Sequence, residues 1–100
     1  MKVIFGTPTA TPPAWLTEKY PEVLNARKDG VLLRHGGRRH YNYNSPVYQR
    51  LCARVVEREA AHYAKHPAIV GWQIDNEINC EENEFYSEAD SVAFREFLRK

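Results

Sequence analysis

The chain predicts an α/β fold with parallel strands, on three observations. Two short apolar runs, Lys2–Val3–Ile4–Phe5–Gly6 and Ala68 to Ile74, have the length and composition of buried strands. The stretch between them holds a helix opened by Ser45–Pro46, and a second helical pattern follows the second run. The order strand, loop, helix, strand, loop, helix joins parallel strands by a right-handed crossover. Two parallel strands cannot cover their own faces, so the unit is expected to be part of a larger sheet domain.

The first run ends at Gly6, and Thr7 to Pro13 follows as a rigid strand-end loop. Pro12–Pro13 lacks the backbone donors that a helix or central strand would need. Ala14 to Tyr20 fits a short helical turn before Pro21. Glu22 to Asn44 is polar and irregular, with turn signals at Asp29–Gly30 and Gly36–Gly37 and at most a minor strand at Val31–Leu32–Leu33. A loop of that length inside a compact unit is usually functional or disordered. Its tip, Arg34–His35–Gly36–Gly37–Arg38–Arg39–His40, concentrates positive charge.

Ser45 is a good helix N-cap, and Pro46 suits the first helical position, where a missing N–H costs nothing. Val47, Leu51 and Val55, with Tyr48, Cys52 and Val56, recur at i, i+4 and form one apolar stripe. Pro67 should end this helix. The second strand is apolar almost throughout, which suits a parallel strand covered on both faces, and Asp75–Asn76–Glu77 ends it. An acidic loop, Asn79 to Tyr86, leads to Ser87, which can cap the last helix with Asp90 in its first turn and Val92, Ala93 and Phe97 on the inner side. That helix reaches Lys100 with no Gly, Asn or Pro terminator, so the chain is expected to be a truncated piece.

Composition narrows the function. Hydrophobic residues make up 43% of the 100, so the chain is not disordered by composition. Fourteen basic residues against thirteen acidic ones, net +1, give no reason to expect nucleic acid or a membrane as partner. No apolar stretch approaches the roughly 18 residues that span a bilayer, and Met1 to Phe5 lacks signal-peptide anatomy. Cys52 and Cys80 form no CxxC pair. They suit a reduced, cytoplasmic setting, with a single disulfide as the alternative.

Glu77 is the sharpest candidate for chemistry, because parallel α/β folds gather catalytic groups at the C-terminal ends of their strands. A carboxyl group between apolar walls there can stay protonated and donate to a glycosidic oxygen. Asn76 beside it offers amide donors and an acceptor to a sugar hydroxyl. Taken alone, Asn–Glu reads as an ordinary turn-capping carboxylate sooner than as a catalytic group. Arg38 and Arg39 can hydrogen-bond sugar hydroxyls or carboxylates, or form a solvated basic loop. Trp15 can stack on a sugar, whereas Trp72, in mid-strand, reads as a core or barrel-lining residue. His62 and His66 have chelating spacing without an obvious third ligand. Asp75, Glu81, Glu82, Glu84 and Glu88 read as a solvated acidic cluster. No Ser–His–Asp pattern, phosphate loop or EF-hand is visible.

Four segments together resemble the family 42 glycoside hydrolases, retaining β-galactosidases built on a (β/α)8 TIM barrel. They are Gly6 to Leu16 (GTPTATPPAWL), Arg38–Arg39–His40–Tyr41, Ser45–Pro46–Val47–Tyr48 and Gly71–Trp72–Gln73–Ile74–Asp75–Asn76–Glu77, in family order and spacing. The resemblance covers nearly the whole chain. It implies that residues 1–100 are a partial barrel, from the third strand (Val3 to Phe5) through the fourth (Ile69 to Ile74) to the start of the fourth helix. It further implies that Glu77 is the general acid/base, that Asn76 and Arg38 contact galactose, and that Trp15 helps to shape the same pocket. The implied substrate is a terminal, non-reducing β-D-galactose residue of a galactoside, and the implied parent is a homotrimer with no cofactor.

Two departures from the family pattern matter. Some members hold a structural zinc with four cysteines, and the matching positions here are Asn42, Phe85, Ser87 and Asp90. None supplies a thiolate and Cys80 alone does not make a site, so no metal is expected. The family's nucleophile, a second Glu late in the barrel, has no counterpart in this chain. Retaining hydrolysis needs two carboxyl groups about 5 Å apart, so the chain alone is expected to be inactive. The alternatives are a piece of another barrel β-glycosidase of mannanase or cellulase type, a non-catalytic sugar-binding module, and, more remotely, a structural metal-binding domain.

Overall fold

The computed structural model describes residues 1–78 and 84–100. Strands β1 (Val3–Gly6) and β2 (Ile69–Gln73) pair in parallel. Ile4 faces Gly71, Phe5 faces Trp72 and Gly6 faces Gln73, after an irregularity between Val3 and Ile4. The crossover carries α1 (Ala14–Lys19), a 3-10 turn at Pro21–Val23 and α2 (Pro46–Tyr63), and α3 (Glu88–Leu98) follows β2. The expected order of elements is therefore present.

Local chemistry sets the element ends. The Ser45 hydroxyl accepts the Tyr48 N–H at 3.4 Å, with Pro46 at the first helical position. α2 stops at Tyr63, four residues ahead of Pro67, and the chain turns through His66, whose N–H donates to the Tyr63 carbonyl at 2.9 Å. Ser87 and Asp90 form a reciprocal capping box at the start of α3.

The hydrophobic core lies under the long loop. Leu16, Val23, Tyr41 and Tyr48 are its buried members, with Tyr20, Tyr43, Val47, Leu51 and Cys52 packed around them. The loop is irregular but cross-braced. Asn25 N–H donates to the His40 carbonyl and Asn42 N–H to the Val23 carbonyl, both at 2.8 Å. The minor strand at 31–33 is reduced to a single bridge between Leu32 and Ala26.

As expected of two parallel strands alone, the sheet is left partly uncovered, with Ile4 69% and Val70 59% exposed. One expectation needs correction. Val92 and Phe97 do not lie on a buried side of α3, where Phe97 is 71% exposed and Asp90 is the buried residue. The physical reason is that no described element packs over that apolar side. No helix among the described residues is long and apolar enough to cross a membrane.

Candidate active site

The two strands run parallel, so their C-terminal ends lie side by side. Thr7, just past β1, donates its N–H to the Gln73 carbonyl at 2.9 Å, and its hydroxyl accepts the Asp75 N–H at 2.8 Å. The Gln73 side-chain amide donates to the Asp75 carbonyl and to Asn76 Oδ1, both at 3.1 Å. Asp75 Oδ1 accepts the Asn76 N–H at 2.6 Å. These bonds hold a turn in which Asp75 (φ 56°) and Glu77 (φ 45°) both lie in the left-handed region. A non-glycine residue there costs on the order of 1–3 kcal/mol and persists only where its surroundings over-determine it.

A third left-handed non-glycine residue, Arg39 (φ 58°), comes from the tip of the long loop and meets this turn. Gly36, at φ 103°, provides the reversal that brings the tip round. Two ion pairs result. Arg38 Nη2 lies 2.5 Å from Glu77 Oε2, and Arg39 Nη1 lies 3.6 Å from Asp75 Oδ1.

The two pairs occupy different environments. The side chains of Arg38 and Glu77 are 59% and 53% exposed, whereas those of Arg39 and Asp75 are 5% and 13% exposed. Arg39 Nη1 also donates to the hydroxyls of Tyr41, at 2.8 Å, and Tyr43. Burial works against its charge, but the oxygens of Tyr41, Tyr43 and Asp75 outweigh that and raise its pKa. The Tyr41 hydroxyl is pushed up as well, first by burial and then by its hydrogen bond with Tyr43 and the charge of Asp75. Arg39 Nη2 and His40 Nε2 are buried without hydrogen-bond partners among the described residues.

Of the residues singled out in the sequence, Arg38, Asn76 and Glu77 are brought together. Glu77 does not sit between apolar walls here, because β2 has a single neighbouring strand and the side chain faces open space. Trp15, on α1, lines a separate depression with Pro12, Tyr48, Cys52, Val55 and Arg58, among others, and none of the other three residues contributes to it. Trp72 packs edge-on against Phe5 with ring centres 5.2 Å apart. His62 is in the last turn of α2 and His66 lies beyond its end, where His66 Nδ1 accepts the Ala68 N–H at 3.2 Å. No cluster of three or more His, Cys, Asp or Glu suited to a metal occurs among the described residues. Cys80, Glu81 and Glu82 lie outside the described residues.

Two features were not legible beforehand. Asp75, assigned to a solvated cluster, is mostly buried against Arg39; its place directly before Asn76–Glu77 at a strand end was the available signal. Arg38 and Arg39, alike in residue type and set apart beforehand only by the family resemblance, which singles out Arg38, point to different environments. Three of the four positions matched to zinc cysteines form a hydrogen-bonded knot. The Asn42 amide donates to Ser87 Oγ at 2.6 Å and to Asp90 Oδ2 at 2.5 Å, and Asn44 donates to Asp90 Oδ1 at 2.7 Å. Phe85, the fourth position, packs against the Tyr43 ring at 5.9 Å.

Comparison with known proteins places this geometry in a family. A β-galactosidase of Arthrobacter sp. is 45% identical over 100 residues, all of this chain and 14% of that protein. The crystal structure of a β-galactosidase from the psychrophilic Marinomonas ef1 superposes with a TM-score of 0.92 at 45% identity, over 98% of this chain and 15% of that one. The β-galactosidase of the Antarctic haloarchaeon Halorubrum lacusprofundi gives the same TM-score at 43% identity and the same coverage. The chain thus spans about one seventh of the length of these relatives, and its βαβα unit is a portion of their (β/α)8 barrel. The family model for glycoside hydrolase family 42, described as beta-galactosidase, matches residues 1–100, and the chain belongs to that family.

Proposed function

We propose that the chain forms the part of a retaining β-galactosidase, from the third barrel strand to the start of the fourth helix, that carries the general acid/base, Glu77. The observation that carries this reading is the convergence of Glu77, Asn76 and Arg38 at the C-terminal end of β2, with Arg38 on Glu77 at 2.5 Å. Strand ends of this kind are where barrel enzymes assemble their chemistry.

In the first step, protonated Glu77 gives its proton to the glycosidic oxygen as the bond to the anomeric carbon breaks. A nucleophilic carboxylate from elsewhere in the barrel bonds to that carbon. In the second step, ionised Glu77 takes a proton from water. The water oxygen attacks the anomeric carbon and releases the nucleophile. Asn76 and Arg38 orient the galactose through hydrogen bonds to its hydroxyls. Trp15, half-exposed beyond the double-proline loop that follows β1, lines a depression apart from Glu77, so its part in the reading is limited to an aromatic stacking surface for a more distant portion of the substrate. The reading carries a cytoplasmic, homotrimeric parent without a cofactor.

The test is Glu77→Gln in the whole protein. Cleavage of methyl β-galactoside, whose leaving group needs protonation, should fall by about 10²–10⁴-fold in kcat/KM. Cleavage of 2,4-dinitrophenyl β-galactoside, whose leaving group departs unaided, should fall far less. Unchanged hydrolysis of the methyl galactoside would refute the assignment.

A further inference from the structure

We infer that Arg39 is a positioning residue that acts through Asp75 to hold the turn presenting Asn76 and Glu77. The inference rests on the reading of Glu77 as the acid/base. Arg39 is too buried to be a sugar ligand in this unit, with its side chain 5% exposed. It is anchored instead to the core. Its Nη1 is held by the hydroxyls of Tyr41 and Tyr43, and Tyr41 stacks on Tyr48 with ring centres 4.8 Å apart. On its other side the same guanidinium faces Asp75 Oδ1 at 3.6 Å, and that oxygen takes the Asn76 N–H at 2.6 Å. A continuous line of contacts therefore runs from the packed aromatic core, through Arg39 and Asp75, into the backbone one residue before Glu77.

The backbone is strained at both ends of this line. Arg39, Asp75 and Glu77 are the three non-glycine residues with left-handed φ among the described residues. Strain of this kind survives where contacts over-determine it, and Arg39–Asp75, Asp75–Thr7 and Gln73–Asn76 are the contacts that do so here. Relaxation of Asp75 to an ordinary conformation would re-aim the Glu77 side chain. A proton donor displaced by about 1 Å loses on the order of 10²-fold in rate.

The experiment compares Arg39→Lys, Asp75→Asn and Arg39→Lys/Asp75→Asn in the whole protein, with Glu77→Gln alongside. For Asp75→Asn, kcat/KM on methyl β-galactoside should fall by about 10²-fold. On 2,4-dinitrophenyl β-galactoside it should change only a few-fold, because no proton is needed. The double variant should lose no more than the worse single, since both residues act along one line. A role confined to stability would lower both substrates in parallel, and that result overturns the inference, as does a multiplicative loss in the double variant. Should Arg39→Lys fail to fold, the ratio between the two substrates for Asp75→Asn decides alone. Selectivity in Glu77→Gln without selectivity in Asp75→Asn refutes this inference and leaves Glu77 standing. Absence of selectivity in Glu77→Gln overturns both.

Discussion

The long loop and the sheet are built in opposite ways. Between residues 22 and 44 there is almost no regular structure, yet Val23, Asn25, Ala26, Arg39, His40, Tyr41 and Asn42 are all buried there. The sheet is regular, yet Ile4, Val70, Trp72 and Ile74 beside it are exposed. Order in the loop comes from the aromatic core beneath it and from polar pairing. Its backbone groups pair across the loop, and its buried Asn25 and Asn42 side chains bond to the Glu84 carbonyl and to Ser87 and Asp90. The strands follow from local composition, and what covers them must come from the rest of the barrel. The two ion pairs repeat the contrast at small scale. The Arg39–Asp75 pair is enclosed beside the core, whereas Arg38–Glu77 stands open to solvent.

Removal of the core aromatic should abolish the contrast most strongly. Tyr41→Ala deletes a ring that is 1% exposed, its stacking on Tyr48 and its bond to Arg39. We expect a loss of about 3–5 kcal/mol in the denaturant unfolding of the whole protein, with new proteolytic cuts between residues 22 and 44. No loss would mean that the loop is held from outside.

Asp90→Ala strikes the polar half of the same region. It removes the α3 capping box and leaves the buried Asn42 amide short of an acceptor. The expected cost is about 2–3 kcal/mol. Asp90→Asn should recover part of it, and equal losses for the two variants would argue against the hydrogen-bond account.

The smallest effect is absent at neutral pH. Burial, followed by the neighbouring Cys52, pushes the Tyr48 hydroxyl up, and burial with Tyr43 does the same to Tyr41. An unfolded tyrosine ionises at about pH 10. Above that pH the unfolded state holds fewer protons than the folded one, so stability falls as pH rises. It should be level from neutrality to about pH 10 and then decline, with the share of tyrosinate absorbance that Tyr41→Phe and Tyr48→Phe remove appearing only as the protein unfolds. Early, fully reversible ionisation of Tyr41 and Tyr48 would show that the aromatic core is open.

How much could be read in advance varies along the chain. The βαβα order, the Ser45–Pro46 helix start and the Ser87 cap were all legible, because each depends on residues within one or two turns of one another. The strand-end Asn76–Glu77 and the charged loop tip were legible as candidates. The burial of Arg39 and Asp75 was not. Whether Arg38 or Arg39 turns inward depends on the loop path and on the left-handed backbone at Arg39, and no local rule assigns that conformation to an arginine. The exposed face of α3 was misread because the periodicity of Val92 and Phe97 marks an apolar side but not what lies against it.

Sequence alone thus determined the elements, their caps and the parallel connection, since steric and hydrogen-bonding preferences act over a few residues. Tertiary structure decided which arginine meets which carboxylate. That pairing joins residues 39 positions apart, as for Arg38 and Glu77, and it exists only once the loop has closed over its own core.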